Sequence, residues 1–384
     1  MLKVVVGHSN DPDSPAAIAE VIEQCDRALG DSAPQAGILL TAIDFDHALI
    51  LQAIIAAYPG LELIGGTTDG EISSVLGFEQ DSLSLMLFSS DTITIRAAIA
   101  PQISQDLDGS LQAAVAQATA GLESPIALCI ALPESLTTSG AQIVASLRAH
   151  MGQDVTICGG LTADPWEFKR TYQFCGTEVH RDAIAFLLFS GPLLFSHSVA
   201  SGWTPIGKPG VITKADQNIV YEIDREPALQ FYQRYLKAME PSSEYPLAVF
   251  EADDSNYYLR APSGTCDLEI GSITFFGDIP EQAIVQITEA TRDRILAASK
   301  AAAATAIAQY PGQEPAAALF FSCASRRQIL GSHTREEYEL TRACFDTLLP
   351  SCGFYTNGEI APLELHGPAR LHNETFVTLL LGER

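Results

Sequence analysis

Polar side chains occupy glycine-rich turns at the ends of several predicted strands. The candidates for binding chemistry are Thr67, Thr68, Asp69, Glu71, Arg260, Arg326, Asn357, Glu359, His372 and Asn373. Arginine pairs with a carboxylate through two hydrogen bonds, and an acid pairs with an ammonium group. Loops at strand ends are where α/β folds usually bind ligands. If these side chains surround one pocket, they would select a small polar ligand that resembles an amino acid.

Each candidate also has a purely structural interpretation. Asp69 and Asn357 precede glycines, and turn formation is the commonest role of such residues. A rival function is a cysteine-dependent hydrolase, with Cys323 or Cys158 as nucleophile and His372 as base. The sequence contains no serine nucleophile elbow and no other catalytic motif, so we expect no enzymatic activity. A scaffold that binds no small molecule is a third alternative.

Residues 202–209 nearly match a phosphate-binding P-loop but lack two of its parts. Pro209 stands where a serine or threonine would contact magnesium. Gly210 follows it, so no helix begins there to bind phosphate. The histidines show no metal-ligand spacing either, and the sequence predicts neither a nucleotide site nor a bound metal.

The candidate turns belong to a repeated unit of strand, helix, turn and strand. G-G-T-T-D-G-E-I-S at 65–73 is similar to G-F-Y-T-N-G-E-I-A at 353–361, and a weaker copy, C-G-G-L-T-A-D, lies at 158–164. Such long-period similarity indicates duplicated structural units. The sequence therefore predicts a mixed α/β fold of two domains, built from these duplicated units with mixed sheets.

Apolar runs and helical periodicity predict the elements that must position the turns. The predicted strands are 2–6, 36–43, 82–88, 92–98, 125–132, 183–189, 194–200, 211–214, 218–223, 247–250, 257–260, 273–276, 316–323 and 375–381. The predicted helices are 14–29, 50–58, 106–122, 140–150, 227–237, 289–309 and 336–348. A linker rich in proline and serine at 240–246 divides the chain into domains 1–239, with a core at about 30–237, and 240–384.

Composition excludes some partners. The chain has 47 acidic and 22 basic residues and a net charge of −25, which gives no electrostatic footprint for nucleic acid or an anionic membrane. The most apolar window, 183–200, is interrupted by Gly191 and Pro192, so it predicts no membrane span. The eight cysteines are scattered without a C-x-x-C motif, which favours reduced thiols and a cytoplasmic protein.

The ordered series of motifs resembles a FIST protein. Residues 65–73, 158–164, 202–207, 211–214 and 226–228 resemble the N-terminal FIST domain. Residues 246–250, 260, 275–280, 321–327, 353–361 and 371–375 resemble the C-terminal FIST domain. The resemblance implies a sensory module that binds small molecules such as amino acids. It also implies a separate signalling partner, such as a histidine kinase, because the sequence shows no output domain.

The same resemblance allows haem as a possible cofactor. Some FIST proteins resemble haem-based nitric-oxide sensors, for which His372 or His333 could supply the axial ligand. Without haem, we expect no cofactor. The sequence thus predicts a cytoplasmic two-domain sensor that binds its ligand between the domains. Ligand binding would hold the domains together, and the partner would respond to that state.

Overall fold

Three sheets with helices on their outer faces form the body of the molecule, and a fourth sheet is inserted beside them. The computed structural model describes residues 1–237, 239–250 and 256–384. Each of the three sheets is built on one copy of a repeated unit, so the body contains three units that follow one another along the chain.

The first unit and the second unit have the same order of elements. The first contains β1 (Lys3–Ser9), α1 (Ser14–Leu29), β2 (Ala36–Thr41), α2 (His47–Ala57), β3 (Glu62–Thr67), β4 (Glu71–Ser73), β5 (Gly77–Glu79) and β6 (Leu83–Ser89). The second contains β7 (Thr94–Pro101), α3 (Leu107–Thr119), β8 (Ile126–Pro133), α4 (Gly140–Met151), β9 (Thr156–Gly160), β10 (Gln173–Cys175), β11 (Glu178–His180) and β12 (Ala183–Ser190).

The third unit is split by the inserted sheet. It begins with β13 (Leu193–Ala200). The insertion contains β14 (Thr204–Pro205), β15 (Gly210–Asp216), β16 (Ile219–Ile223), β17 (Glu226–Pro227), α5 (Ala228–Leu236), β18 (Leu247–Phe250), β19 (Tyr257–Arg260), β20 (Pro262–Asp267), β21 (Ser272–Phe275) and β22 (Ile284–Glu289). The unit resumes with α6 (Arg292–Gln309), β23 (Ala317–Cys323), α7 (Ala324–Leu330), a 3-10 turn (Gly331–His333), α8 (Thr334–Arg342), β24 (Ser351–Thr356), β25 (Glu359–Pro362), β26 (Ala369–His372) and β27 (Phe376–Glu383).

Each unit gives a short hairpin to the sheet of another unit. The hairpin β10–β11 pairs with β3 of the first unit, β25–β26 pairs with β9 of the second, and β4–β5 pairs with β24 of the third. Each sheet also contains one parallel pair, formed by β2 with β3, β8 with β9, and β23 with β24. The hairpin exchange closes the three units into a cycle and brings the turns before the hairpins together.

The central strands of the three sheets, such as β8, β12 and β23, are mostly apolar along their length because both faces of each sheet are covered. Inner-face residues such as Ile38, Ile130 and Leu319 share one central core. The outer faces pack against helices in separate clusters, for example Ile143 of α4 in the second unit and Ala302 of α6 in the third. One shared core covers the inner faces of the sheets, and helices cover their outer faces. This explains why the predicted strands show little alternation of polar and apolar residues.

The predicted fold class is confirmed, as is the helix at 14–29. The predicted helix at 336–348 is wrong beyond residue 342, where α8 ends, and Phe345 beyond that end packs on the outer core of the third unit. The domain boundary at 239/240 stays a prediction, and the inserted sheet takes strands from both sides of it. Within the described ranges, no helix combines the length and the apolar character needed to cross a bilayer.

Candidate functional site

Three turns, one from each unit, lie in contact with one another. We call them the loop ring, which comprises residues 67–71, 161–164 and 355–359. Backbone hydrogen bonds of 2.8, 3.3 and 3.0 Å join the turns in a cycle: Ala163 N to Thr67 O, Asn357 N to Leu161 O, and Asp69 N to Tyr355 O. The structure therefore brings the first and the last predicted turns into one place, together with the weaker middle copy.

Asp69 forms the main ion pair of the loop ring. Its carboxylate accepts hydrogen bonds from Arg327 Nε at 3.0 Å and Nη2 at 2.7 Å, which ties the first unit to α7 of the third. Burial raises the pKa of Asp69 to about 7, although the Arg327 guanidinium opposes that shift. Thr67 makes no contact of this kind, because its hydroxyl oxygen accepts from Tyr172 N at 3.0 Å.

Glu71 lies at the centre of a buried polar network. Its carboxylate accepts hydrogen bonds from the hydroxyls of Thr68 and Ser82. His8 contacts Ser82 Oγ at 2.9 Å and Ser73 Oγ at 2.7 Å. Burial raises the pKa of Glu71 to about 8 and lowers the pKa of His8 to about 4. Because every polar side-chain atom named here has a protein partner, this network serves as a support for the loop ring.

Two other buried glutamates each have one oxygen without a partner. Glu359 accepts from Thr375 N and Oγ1 at 3.0 and 2.7 Å, and Glu374 accepts from Ser325 Oγ. Glu359 Oε1 and Glu374 Oε2 are buried and accept nothing from the described residues. Burial raises the pKa of Glu374 to about 8, and burial together with the neighbouring Glu374 raises the pKa of Glu359 well above its usual value.

The cysteines of the hydrolase alternative are poor nucleophiles in this structure. Burial raises the pKa of Cys158, and burial together with Glu359 and Glu374 raises the pKa of Cys323 well above its usual value. Because the thiolate is the reactive species, both thiols should be inert at neutral pH. His372 Nε2 contacts Ala361 O at 2.9 Å rather than either thiol. These features count against a cysteine-dependent hydrolase.

The histidines proposed for haem do not fit that group. His372 is fully buried, and burial lowers its pKa to about 4. His333 is exposed and pairs with Glu336 at 2.6 Å. Neither histidine lines any of the cavities described below, so neither could present an imidazole to a porphyrin without rearrangement. Within the described residues, no three His, Cys, Asp or Glu side chains are grouped as a metal site requires.

Across the described residues, neither of the two predicted arginines forms an ion pair with an acid of the loop ring. Arg326 is wholly buried between α6, α7 and α8, where it pairs with Glu337 at 2.7 Å and lines no cavity described below. Arg260 donates from Nε to Asp278 O at 3.1 Å and from Nη1 to Leu371 O at 3.1 Å. The structure thus assigns both guanidiniums protein partners. A contact of Arg326 with a ligand stays a hypothesis without a location.

A small pocket lies directly beside the loop ring, and we call it the inner pocket. Its polar lining includes Asn357, Asn373 and Glu374, and aromatic rings complete the wall. The Asn357 amide nitrogen donates to Ser135 Oγ at 3.0 Å, while its Oδ1 is buried and has no partner in the described chain. The volume is about 10 Å³, enough for a group the size of one water molecule.

A larger cleft adjoins the inner pocket and separates the loop ring from the inserted sheet. Its volume is about 310 Å³. Phe168, Phe276 and Asn357 line both cavities, and the two rings are stacked with centroids 5.4 Å apart. Other walls come from the acid Asp278 and from hydroxyl and amide side chains: Ser135, Thr137, Ser139, Gln217, Asn218, Ser263 and Thr274. The cleft therefore offers hydrogen bonds and an aromatic surface to one occupant.

Sequence reasoning missed several residues of these cavities. Glu374 has a left-handed backbone with φ of 60° and directly follows Asn373, which was a candidate. The sequence feature that could have indicated Glu374 is its place between a candidate site residue, Asn373, and the last apolar strand. Asp164 accepts four backbone hydrogen bonds from residues 167–170 and so shapes the turn that carries Trp166 and Phe168. No local sequence pattern indicates that such a turn reaches a neighbouring sheet.

Comparison with known families identifies the class of this chain. The FIST N domain matches residues 35–226, and the FIST C domain matches residues 228–362. The chain therefore belongs to the FIST family. FIST domains are sensory domains of signal transduction, and both of them contribute walls to the cleft.

Similar proteins do not add a biochemical activity. An uncharacterized protein of Methanocaldococcus jannaschii is 31% identical over 134 residues, which cover 33% of this chain and 26% of that protein. An uncharacterized protein of Mycobacterium tuberculosis strain H37Rv is 23% identical over 391 residues, which cover 95% and 96%. A crystal structure of cyanuric acid hydrolase from A. caulinodans matches all of both chains with 10% identity and a TM-score of 0.36, a similarity too low to transfer function.

Because several buried carboxyl groups have raised pKa values, we expect the free energy of unfolding to fall as the pH rises from about 6.5 to 8. The raised pKa values of Asp69, Glu71 and Glu374 mean that the folded protein holds protons which the unfolded chain has already released. Each such group lowers the free energy of unfolding by up to about 1.4 kcal/mol per pH unit in this window. Denaturant titrations at pH 6.5 and 8 would measure the fall.

A matched variant separates this effect from other titrations. Glu71→Gln removes one raised pKa and should make the fall shallower. The pKa values of His8, His197 and His372 are lowered to about 4 by burial, so their contribution is lost only as the pH falls below about 6.5. A stability that stays flat or rises between pH 6.5 and 8 would contradict the burial of these carboxyls.

Proposed function

We propose that this protein is a sensor that binds a small polar ligand with an ammonium or another N–H donor group. The body of the ligand would occupy the cleft, and the donor group would enter the inner pocket. The observation that carries the proposal is the pair of buried acceptors at that pocket, Glu374 Oε2 and Asn357 Oδ1, which lack protein partners in the described chain.

Size and polarity support this assignment. Ligand sites commonly measure about 300–1,000 Å³, and the cleft, at about 310 Å³, lies at the lower end of that range. A buried acceptor without a hydrogen bond costs about 1–3 kcal/mol, which a donor from a ligand would recover. The inner pocket alone holds one water-sized group, which is also the size of an ammonium group.

The aromatic wall favours a cation over a neutral donor. Phe168 stacks on Phe276 at an interplanar angle of 25°, and Trp166 contacts Phe168 edge-on at 5.1 Å. Aromatic faces attract ammonium groups, by up to about 2 kcal/mol where water is excluded. An amino-acid-like ligand has such an ammonium group, and its carboxylate could face the hydroxyls of the cleft.

Signalling would follow from the position of the cleft. Ser135 and Leu161 on one wall belong to the matched FIST N segment, whereas Asn357 and Phe276 belong to the FIST C segment. A ligand that contacts both would favour the arrangement in which the two walls are close. A separate partner in the cytoplasm, such as a histidine kinase, would then recognise that state.

The experiment is a calorimetric and thermal-shift screen with amino acids, primary amines and organic acids. Glu374→Gln and Asn357→Ala should weaken a hit by about 10- to 150-fold, because a charge-assisted hydrogen bond contributes about 1.5–3 kcal/mol. Glu71→Gln is the matched control, because Glu71 is equally buried but fully bonded and does not line the pocket. Its affinity should equal that of the wild type.

The pH dependence makes the test sharper. Because the pKa of Glu374 is about 8, a cationic ligand at pH 7 must displace a proton, and its affinity should rise as the pH approaches 8. Glu374→Gln should remove that rise. Binding by organic acids but not amines, or equal weakening by all three variants, would refute the proposed ligand class and site. If none of the compounds in the screen binds, the result would favour an interaction scaffold that binds no small molecule.

A further inference from the structure

Residues 164–170 form a turn between the cleft and the inner pocket, and we call it the aromatic turn. Its Phe168 lines both cavities, and its Trp166 lines the inner pocket. Phe168 stacks on Phe276, which directly follows β21 and also lines both cavities, with the ring centroids 5.4 Å apart. The stacked rings therefore stand where a donor group would pass from the cleft into the inner pocket.

The backbone of the aromatic turn is strained at two aromatic residues. Trp166 and Phe168 have φ angles of 59° and 52°. These angles lie in the left-handed region, which bulky L-residues rarely adopt. Such strain persists only where the surrounding contacts maintain it, and it is frequent in ligand clamps and switch segments. Two strained residues in one short turn therefore point to a segment that is held in a state it can leave.

One buried carboxylate holds the strained turn. Asp164 is 1% exposed, and its Oδ1 accepts from the backbone N–H groups of Glu167 and Phe168 at 3.0 and 2.8 Å. Its Oδ2 accepts from those of Lys169 and Arg170 at 2.8 and 3.2 Å. Hydrogen bonds to an ionised carboxylate are about twice as strong as neutral ones. Because all four contacts depend on one side chain, its loss would release the turn as a unit.

Both ends of the aromatic turn are tied to Thr67 of the loop ring. Ala163 N donates to Thr67 O at 2.8 Å, and Thr67 N donates to Tyr172 O at 3.0 Å. Tyr172 N also donates to Thr67 Oγ1 at 3.0 Å. Between these fixed points, neither Trp166 nor Phe168 belongs to any hydrophobic core cluster of the described residues. The turn can therefore move while the loop ring and the cores stay folded.

We propose that the aromatic turn is a gate on the inner pocket and that Asp164 is the positioning residue that holds it closed. In the closed state Phe168 covers Phe276, and in the open state the two rings separate and the cleft joins the inner pocket. Phe168 belongs to the matched FIST N segment and Phe276 to the FIST C segment, so the gate also changes a contact between the two. The inference rests on the proposed function for the group that passes, but the gate itself can be tested without a ligand.

Cys323 reports the state of the gate, because it lines the inner pocket and is only 6% exposed. The test is alkylation of the full chain by iodoacetamide at about pH 8.5, where more thiol is ionised than at pH 7. Mass spectrometry identifies each modified cysteine. Phe168→Ala and Asp164→Ala should each raise the rate at Cys323 at least about tenfold, the factor expected for the loss of one charge-assisted hydrogen bond. Asp164→Asn keeps one acceptor oxygen and should give an intermediate rate.

Two controls distinguish the gate from general loosening of the protein. Cys158 is the internal control, because it is fully buried and lines neither the inner pocket nor the cleft. Glu134→Ala is the matched variant, because its buried carboxylate likewise accepts from the backbone N–H groups of residues 136–138 but does not contact the aromatic turn. Neither the rate at Cys158 nor the effect of Glu134→Ala should resemble the change at Cys323.

Each outcome decides the proposal. Faster modification of Cys323 in the Phe168 and Asp164 variants, with Cys158 unchanged, would support the gate. An unchanged rate at Cys323, equal acceleration at Cys158, or equal acceleration by Glu134→Ala would overturn it. If Asp164→Ala fails to fold, Phe168→Ala still decides, because it removes only a half-buried ring. If the rates support the gate but no amine binds, the proposed function fails while the gate stands.

Discussion

Replacement of Arg326 by alanine is expected to lower the free energy of unfolding by about 3–5 kcal/mol, the usual cost of breaking a buried ion pair. Arg326 and Glu337 are both fully buried, and the arginine donates to Glu337 Oε1 from Nε at 3.1 Å and from Nη2 at 2.7 Å. It also donates to Ser201 O at 2.6 Å and Ile295 O at 3.0 Å. Alanine would leave a buried charge and a cavity. Urea or guanidinium unfolding measures the loss.

Two controls show whether the ion pair or the lost volume matters. Arg335→Ala, in the adjacent helix α8, breaks a partly exposed pair with Glu79 of β5 and should cost less than about 1 kcal/mol. The double variant Arg326→Met/Glu337→Leu should recover only part of the stability, because no charge is then left unpaired but the buried hydroxyls of Ser299, Ser322 and Tyr355 lose their acceptor. If Arg326→Ala is as stable as the wild type and yet binds ligand poorly, the arginine contacts the ligand instead.

The sequence predicts much of this fold because its strongest signals are local. The helix at 14–29 has a regular apolar face, and β12 is an uninterrupted apolar run between polar turns. The repeated turns at 65–73 and 353–361 are visible because glycine and the acids recur in the same order. Each of these patterns spans fewer than twenty residues. The type of each element and its position in the sequence can therefore be predicted without knowledge of distant contacts.

The hairpin exchange could not be predicted from the sequence. Strands such as β10 and β11 have three residues each, too few to show a period of two. The partner of β10 is β3, about one hundred residues earlier, where Phe174 pairs with Gly65. Only the edge of the folded first sheet, which the hairpin covers, determines that β10 pairs with β3. For the same reason, the sequence did not indicate that the middle unit shapes the inner pocket through Phe168.

The neighbours Arg326 and Arg327 show the limit for site residues. The sequence marks Arg326 as a candidate ligand contact, but it does not predict α7. On a helix, consecutive side chains diverge by about 100°, so only one of the two can face a given partner. Arg327 pairs with Asp69 of the loop ring, whereas Arg326 pairs with Glu337 of α8. A role could be assigned to each arginine only from the structure, which shows α7 and the direction in which each side chain leaves that helix.

Replacement of Gly159 by alanine is expected to cost more than about 4 kcal/mol or to prevent folding. Gly65, Gly159 and Gly353 stand at the same place in the three parallel pairs, opposite Leu39, Ala131 and Phe320. A Cβ atom at these positions would lie 2.3, 1.9 and 2.2 Å from the facing backbone carbonyl oxygen. A buried carbonyl in a central strand cannot move away as a flexible side chain could. The yield of folded protein and chemical unfolding measure the effect.

The matched control is Gly121→Ala, which also requires a positive φ of 76° but meets no atom within 4 Å. It carries only backbone strain, about 1–2 kcal/mol, and should fold normally. The difference between the two variants therefore isolates the close approach of β9 to β8. This approach places the middle turn of the loop ring at the sheet edge where the other two turns meet it. If Gly159→Ala and Gly121→Ala prove equally stable, the β8–β9 pairing, and with it the geometry of the loop ring, must differ from that described above.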